Sequence, residues 1–490
     1  MENNNNNLFS EIVMKIILRI FSFFSSIKAL VLFFFSVLSF STAQQKPNVL
    51  LINIDDMGWK DVSFMGSDFY ETPNIDALSA AGIVFNNGYS AAANCAPSRA
   101  CLLTGLWPQR HGVFTVGSSQ RGDIEDRKII PIKNTQFLSN KFKVIPQYLK
   151  EVGYNTYHIG KWHISKNPMD FGFDVNIGGS DAGFPKSYFP PYKNVDVEGS
   201  GAAYLTDVLT EKAVTLITAS KEPFFMYYAT YAVHLPINPI PELVPKYLKR
   251  ESKLGQTNAK YASMVENLDK NIGVLIKGLK DAGKFENTVI IFTSDNGGLY
   301  GITSQKPLRS GKGSYYEGGI KVPFFFVWQN KISKNTRSDF PISNLDILPT
   351  ILSITSNGNN KNIADGTDLS SLLLDRKNLM ERPLFWHFPI YLQSKKWKGF
   401  VNENRDPLFR TRPGSAVRWG DWKLIYYYEN DDLELFNLKE DISETENIAT
   451  LYPEKAIELT KTLKKWCLQT GAPIPKEPNK KYNFKSDKNM

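Results

Sequence analysis

Cysteine is scarce in this chain: Cys95, Cys101 and Cys467 are the only three among 490 residues. Three thiols do not make the paired framework that staples small exported domains, so the fold must rest on a hydrophobic core. The odd count leaves one thiol for another task, and Cys101 and Cys467 read as buried side chains. Long apolar runs are scarce too. The uninterrupted stretch at 29–40 is well short of the roughly 20 residues of a membrane-spanning helix. It follows Lys15, Arg19 and Lys28 and precedes the small residues Ser41-Thr42-Ala43, the pattern of an export signal with its cleavage site. Residues 1–43 are expected to be that signal, with an asparagine-rich leader; an uncleaved anchor is the alternative. No cysteine stands at the cleavage site, which argues against a bacterial lipid anchor. The protein is expected to be exported, periplasmic or secreted, with membrane contact only through the signal. Compact Lys/Arg blocks are missing as well, although the formal charge is +9 and residues 1–43 account for only +1 of it. Spread charge and export argue against nucleic acid; solubility or an acidic polysaccharide remains. No internal repeat is present.

What is present is an alternation of short apolar runs and helical patterns, the mark of an α/β sheet. Residues 49–54, 155–160, 224–231 and 289–293 read as strands. They end at Asp55-Asp56, at Lys161-Trp162-His163, at His234 and at Asp295-Asn296. Helical spacing recurs at 75–81, 144–152 and 259–282. In open α/β sheets the ligand crevice lies at the carboxyl ends of the strands, so these polar ends are expected to share one site. Past Pro349 the texture changes. A polar loop at 357–362 leads into an aromatic-rich stretch to about 412, a hairpin at 416–426, a strand at 434–438 and a closing helix at 453–468. The expected domains are 44–360, a main α/β domain, and 361–475, a smaller antiparallel sheet plus helix. A flexible tail is expected at 476–490, the Pro/Lys-rich chain being loosely held from Pro473.

The stretch around which these elements are organised is Asn94-Cys95-Ala96-Pro97-Ser98-Arg99, continuing to Gly105. Pro97 suits a first helical turn and Gly105 a helix end. Cys95 then sits at a helix N-terminus, where negative charge is favoured, with Arg99 one turn along on the same face. That suits a reactive group handling an anionic ester; a buried small side chain is the plainer reading. Asp55-Asp56 and Asp295-Asn296 offer hard oxygen ligands suited to Ca²⁺ or Mg²⁺ rather than zinc. Either pair alone reads as a cap or turn; two pairs at two strand ends of one sheet favour a metal.

Cys-x-Pro-Ser-Arg followed by Leu-Thr-Gly resembles the signature of the type I sulfatases, within the alkaline phosphatase superfamily. Gly160-Lys161-Trp162-His163, His234-Leu235-Pro236, Leu308 to Gly313, Glu317 to Pro323 and Arg418 to Leu424 resemble further motifs of that family, in its order, from about 47 to 468. The resemblance implies a large mixed, mostly parallel sheet flanked by helices, with the smaller C-terminal sheet. It implies that a formylglycine-generating enzyme converts Cys95 to Cα-formylglycine, whose hydrate is the nucleophile. It also implies one divalent cation, Ca²⁺ before Mg²⁺, held by Asp55, Asp56, Cys95, Asp295 and Asn296. Arg99 and Lys161 would then steady the hydrate, His234 protonate the leaving oxygen, Lys312 hold the sulfate and His163 take a proton from the second hydroxyl. His111 reads as structural. Gly178 to Asp181, Lys186 to Phe189 and Tyr204 to Asp207 resemble a branch acting on sulfated polysaccharides, with galactose-based glycans as the expected substrate. Arg309, Lys186, Arg410 and Arg412 are expected to form a basic rim, and the aromatics of 386–412 to stack on sugar. The alternatives are a broad aryl sulfatase, a phosphatase or phosphodiesterase of the same superfamily, and a glycan-binding protein with a dead site.

Overall fold

The computed structural model describes residues 9–23, 46–355, 363–394 and 403–483. Residues 9–23 form a helix whose apolar side chains are exposed, Phe21 and Phe23 among them. The run at 29–40 and the small residues 41–43 lie outside the described residues, as do the loop 357–362 and part of the aromatic-rich stretch. Among the described residues no helix is long and apolar enough to cross a membrane.

From Pro47 onward, β1 (Asn48–Ile54), β2 (Ile83–Phe85), β3 (Gly88–Tyr89), β4 (Asn155–Gly160), β5 (Val175–Ile177), β6 (Phe224–Ala229), β7 (Thr288–Ser294), β8 (Phe325–Val327), β9 (Thr336–Ser338) and β10 (Ile342–Ser343) alternate with helices. The large sheet has the order β5-β4-β6-β1-β7-β8-β2-β9. Its pairs are parallel except those of β8, which runs against both β7 and β2. The central strands β1, β6 and β7 are buried throughout and mostly apolar because both faces are covered, as parallel sheets require. Side-chain alternation divides them. Leu50, Ile52, Phe224, Met226, Ile290 and Phe292 point to one core, with the helices Leu205–Ala219 and Ala259–Asp281. Val49, Leu51, Phe225, Tyr227, Val289 and Ile291 point to the other, with the helices Cys95–Thr104, Ile145–Glu151 and Ile347–Thr355. The result is the expected three-layer α/β fold.

The second sheet is antiparallel. After β11 (Leu384–Phe388), β12 (Leu392–Gln393) and β13 (Phe409–Thr411) come β14 (Gly414–Trp419), β15 (Trp422–Tyr427) and β16 (Asp432–Asn437), in the order β11-β14-β15-β16. Val417, Leu424 and Leu435 pack under the helix Pro453–Thr470, through Leu459, Leu463 and Trp466. Ala416, Ile425 and Phe436 face the main body through Tyr89, Tyr316 and Ile320. The tail is not loose over its described part. Ile130 donates to the carbonyl of Glu477 at 2.8 Å, and the Asn479 side chain donates to the carbonyls of Ile124 at 2.7 Å and Arg127 at 2.6 Å. A loop with free carbonyls gives this polar segment partners that its composition does not reveal.

A buried ion cluster joins the two sheets. Lys423 on β15 lies 2.9 Å from Glu317 and 2.8 Å from Glu444, and all three side chains are fully buried. Tyr89 donates to the other Glu317 oxygen at 2.6 Å. Removing the cation leaves Glu444 without its ion-pair partner and Glu317 with Lys321, at 4.0 Å, in the interior. Lys423→Met is expected to cost about 3–5 kcal/mol in urea unfolding. Lys277→Met, at a pair with 74% exposure of the lysine, is expected to stay within about 0.5 kcal/mol. A loss for Lys423→Met as small as that for Lys277→Met would mean that the cluster does not brace the fold.

Candidate active site

Four parallel strands deliver their following residues to one edge of the large sheet. β1 leads to Asp55 and Asp56, β4 to Lys161 and His163, β6 to His234, and β7 to Asp295 and Asn296. Gly160 makes the exit from β4 possible. Its φ is +94°, and a Cβ there would lie 2.1 Å from the Ala229 carbonyl oxygen. Asp56 at φ 62° and His163 at φ 68° also hold left-handed conformations, which cost about 1–3 kcal/mol each. Strain at two neighbouring pocket residues is a mark of a functional site.

The helix Cys95–Thr104 begins after Asn94 and ends at Gly105, φ 66°. It is buried along its whole length and presents Cys95 and Arg99 to the strand ends. Arg99 donates from Nε to Asp295 Oδ2 at 2.8 Å and from Nη1 to the Lys161 carbonyl at 3.0 Å. Lys161 Nζ bridges both oxygens of Asp55, at 2.8 and 2.7 Å. Lys312 Nζ lies 2.5 Å from Asp56 Oδ1 and 3.4 Å from Cys95 Sγ. The Asn296 amide donates to Asp56 Oδ1 at 2.8 Å, and the Asp56 backbone to Asp295 Oδ1 at 3.2 Å. His234 Nε2 stands 3.5 Å from Asp56 Oδ2, while its Nδ1 meets the Leu235 carbonyl at 2.9 Å. These contacts bring together nine of the ten residues expected from the sequence. His163 takes part through the field, feeling Lys161, Arg99, Lys312 and His234.

Three carboxylates face three cations here, and burial decides how they share charge. Burial pushes the Asp55 carboxyl well above the usual range; Lys161 opposes this, and Asp295 and Asp56 add to it. At Asp56 burial acts in the same direction, but Lys312, His234 and Lys161 outweigh it and hold the carboxyl low. Asp295 is also held low, its burial outweighed by Arg99 and then Lys161. Burial, then Lys312, pushes His234 down to about 3. His163 is pushed well down by burial and then Lys161.

The donor set fits one hard divalent cation. Asp55, Asp56, Cys95 and His234 each offer a ligand atom, all within 4.8 Å of one another. Asp56 Oδ2 and Asn296 Oδ1 are buried without a hydrogen-bond partner, and such oxygens are costly unless something binds them. Asp295 stands differently from Asp56: both its oxygens are engaged, by Arg99 and by the Asp56 backbone.

Some expectations are corrected. Arg309 is not at a free rim: it donates to the carbonyls of Glu403 and Glu444, both at 2.7 Å, and stacks on Tyr316. Arg412 is paired with Asp406 at 2.6 Å and Glu429 at 3.0 Å. Both arginines find their acceptors within the C-terminal part of the chain. Phe388 and Phe409 in the aromatic-rich stretch are core. His111 is structural, buried against Cys101.

Sequence reasoning missed Phe184. Its ring stacks on His234 at 5.7 Å and 10° while 49% exposed. Next to it, Gly183 lies against His163, where a Cβ would come within 2.7 Å of the ring. Tyr227 was missed too; it takes hydrogen bonds from Asn53 at 2.8 Å and Arg99 at 3.4 Å. Its inward position follows from β6 alternation, whereas nothing local marks Phe184.

A mixed sheet whose carboxyl edge gathers carboxylates, cations and a helix-borne cysteine suits the hydrolysis of an anionic ester. A family model described as Sulfatase matches residues 47–357. One described as N-sulphoglucosamine sulphohydrolase, C-terminal, matches residues 311–471. A sulfatase from Formosa agariphila is 30% identical, over 88% of this chain and 90% of its own. The mouse N-acetylgalactosamine-6-sulfatase is 31% identical, over 70% and 69%. The crystal structure of Ps i-CgsB in complex with k-i-k-neocarrahexaose superposes with a TM-score of 0.70 at 30% identity, covering 86% of this chain and 93% of that one. The chain belongs to the sulfatase family and is a sulfuric ester hydrolase.

If the pocket holds one hard cation, protein freed of metal by a chelator should bind one equivalent of Ca²⁺ or Mg²⁺ in calorimetry. Asp56→Asn should weaken that binding by more than the roughly 10–100-fold lost with an outer-shell partner. Uptake of two zinc ions in place of one hard cation would contradict this reading.

Proposed function

We propose that the protein removes sulfate from a sulfated, galactose- or galactosamine-containing carbohydrate, using Cys95 after its conversion to Cα-formylglycine together with one Ca²⁺. The observation that carries this is the place of Cys95: the first residue of a buried helix, 3.4 Å from the Lys312 ammonium, its sulfur within 4.8 Å of carboxylate oxygens of Asp55 and Asp56. The hydrated aldehyde supplies the hydroxyl that attacks sulfur, which a thiol does not. Asp55, Asp56, residue 95, Asp295 and Asn296 would hold the cation, which would polarise the sulfate oxygens. The carbohydrate class is supported by two relatives: one named for N-acetylgalactosamine 6-sulfate, the other solved with a neocarrahexaose.

The chain's own residues divide the remaining work. Arg99 and Lys161 hold Asp295 and Asp55 in place and screen their mutual repulsion. Lys312 reaches both Asp56 and residue 95, so it meets a bound sulfate at its anionic oxygens. His234 fixes its Nδ1 on the Leu235 carbonyl, which points Nε2 into the pocket. Burial and Lys312 disfavour its cation; the negative charge of the substrate offsets both and lets it carry the proton given to the leaving oxygen. His163 Nδ1 is buried and unpartnered, free to take a proton as sulfate departs.

The test compares leaving groups across a panel of sulfated sugars and an aryl sulfate, reading released sulfate. Galactose-based sulfates should be cleaved. His234→Ala should lose about 10²–10⁴-fold on a sugar sulfate and much less on an aryl sulfate, whose phenol leaves unaided. Equal losses on both would remove His234 as the acid. Hydrolysis of phosphate esters in preference to every sulfate would overturn the function.

A further inference from the structure

Two arginines beside the pocket have no role in the reaction as described. Arg410, on β13, donates from Nη1 to the Lys312 carbonyl at 2.9 Å and from Nε to the Gln393 carbonyl at 3.2 Å. Arg121 donates to the Val116 carbonyl, and its own backbone N–H goes to Tyr391 at 3.4 Å. The segment of Arg121 and the β12–β13 pair are pinned together: Gln120 bridges to Tyr391, and a Cβ at Gly122 would meet the Phe409 ring at 2.6 Å. Gly313, next to Lys312, packs against Arg410, where a Cβ would lie 3.1 Å from Nη1.

Their charges are unmatched. The three cations of the pocket are balanced by three carboxylates. Among the described residues neither Arg121 nor Arg410 has a carboxylate partner, whereas Arg110, Arg382 and Arg405 each have one and Arg412 has two. Both are half-buried, and both feel the position of Cys95 through the field. Burial, then the Arg121 charge, pushes Arg410 down to about 10. Like charges held close in a partly dry site are costly unless an anion lies between them, and guanidinium forks suit an oxyanion.

We infer that Arg121 and Arg410 form a second anion subsite beside Cys95, which takes another oxyanionic substituent of the same glycan, a sulfate ester or a uronic carboxylate. This rests on the proposed function, and it makes the enzyme selective for multiply charged sugars. The scissile sulfate is met by Lys312; a second group on the same or the neighbouring sugar is met by the unpaired arginines.

The experiment uses three galactose disaccharides: one singly sulfated, one with a second sulfate, and one with a carboxylate in place of that second sulfate. The quantity read is the ratio of kcat/KM for each doubly charged sugar to that for the singly sulfated one. In the wild type at least one ratio should exceed unity. Arg121→Gln and Arg410→Gln should each reduce it about 10- to 100-fold, the worth of a hydrogen bond to a charged group. The sugar whose ratio falls identifies the substituent, and Arg410→Lys should keep part of the preference. The same three sugars titrated by calorimetry into Cys95→Ala protein and its arginine double variants give the ratio in Kd without turnover. If no disaccharide is hydrolysed, the proposed function fails, while the calorimetric ratio still decides the subsite. Unchanged ratios in folded arginine variants, by rate or by Kd, would overturn the inference.

Discussion

Asp55, Asp56 and Asp295 stand together at the edge of one sheet, fully buried, and the rest of the pocket follows from keeping them there. Two unit charges 4 Å apart repel by about 4 kcal/mol even at an effective dielectric of 20. Three carboxylates are therefore tolerable only with cations brought from elsewhere in the chain. Arg99 comes from the helix behind Cys95, Lys161 from the end of β4, and Lys312 from the segment between β7 and β8. The pocket is balanced but not saturated: Asp56 Oδ2 and Asn296 Oδ1 are left without hydrogen bonds. That surplus acceptor capacity is what a hard cation and an anionic ester together would use.

The β12–β13 pair belongs to this arrangement. The Lys312 backbone N–H goes to Gly298 at 2.9 Å, and that of Gly313 goes to Ala93 at 2.8 Å. From the other side, Arg410 holds the Lys312 carbonyl and Thr411 that of Gly313. The main chain at Lys312 and Gly313 is thus held between residues at the edge of the large sheet and the β12–β13 pair. A few residues on, Glu317 enters the buried cluster with Lys423 and Glu444. The two halves meet through charge as well as through the apolar packing of Tyr89, Tyr316 and Ile425.

The sequence revealed what is local. Asp55-Asp56 and Asp295-Asn296 were legible because they end apolar runs, and strand ends of one parallel sheet share an edge. The helix at Cys95 was legible from Pro97 and Gly105, which act within their own turn. The antiparallel sheet and its helix were legible from alternation at 416–426 and the spacing of Leu459, Leu463 and Trp466. Long-range facts were not. Arg309 and Arg412 looked like rim charges because their partners, Glu444 and Glu429, are distant in sequence or across a strand pair. Arg410 shared that loop texture, yet it alone of the three approaches Lys312. Phe184 and Gly183 carry no mark that they lie on His234 and His163. The tail after Pro473 looked loose because its partners are the carbonyls of a loop some 350 residues earlier.

The central claim is that residue 95 acts as an aldehyde hydrate rather than as a thiol. The mass of the peptide containing residue 95, measured on the batch whose sulfate release is assayed, tests it most directly. Active protein should carry a residue with oxygen in place of sulfur and two hydrogens fewer than cysteine, and activity should scale with the fraction so converted. Full activity in protein whose residue 95 is entirely unmodified cysteine would contradict the account.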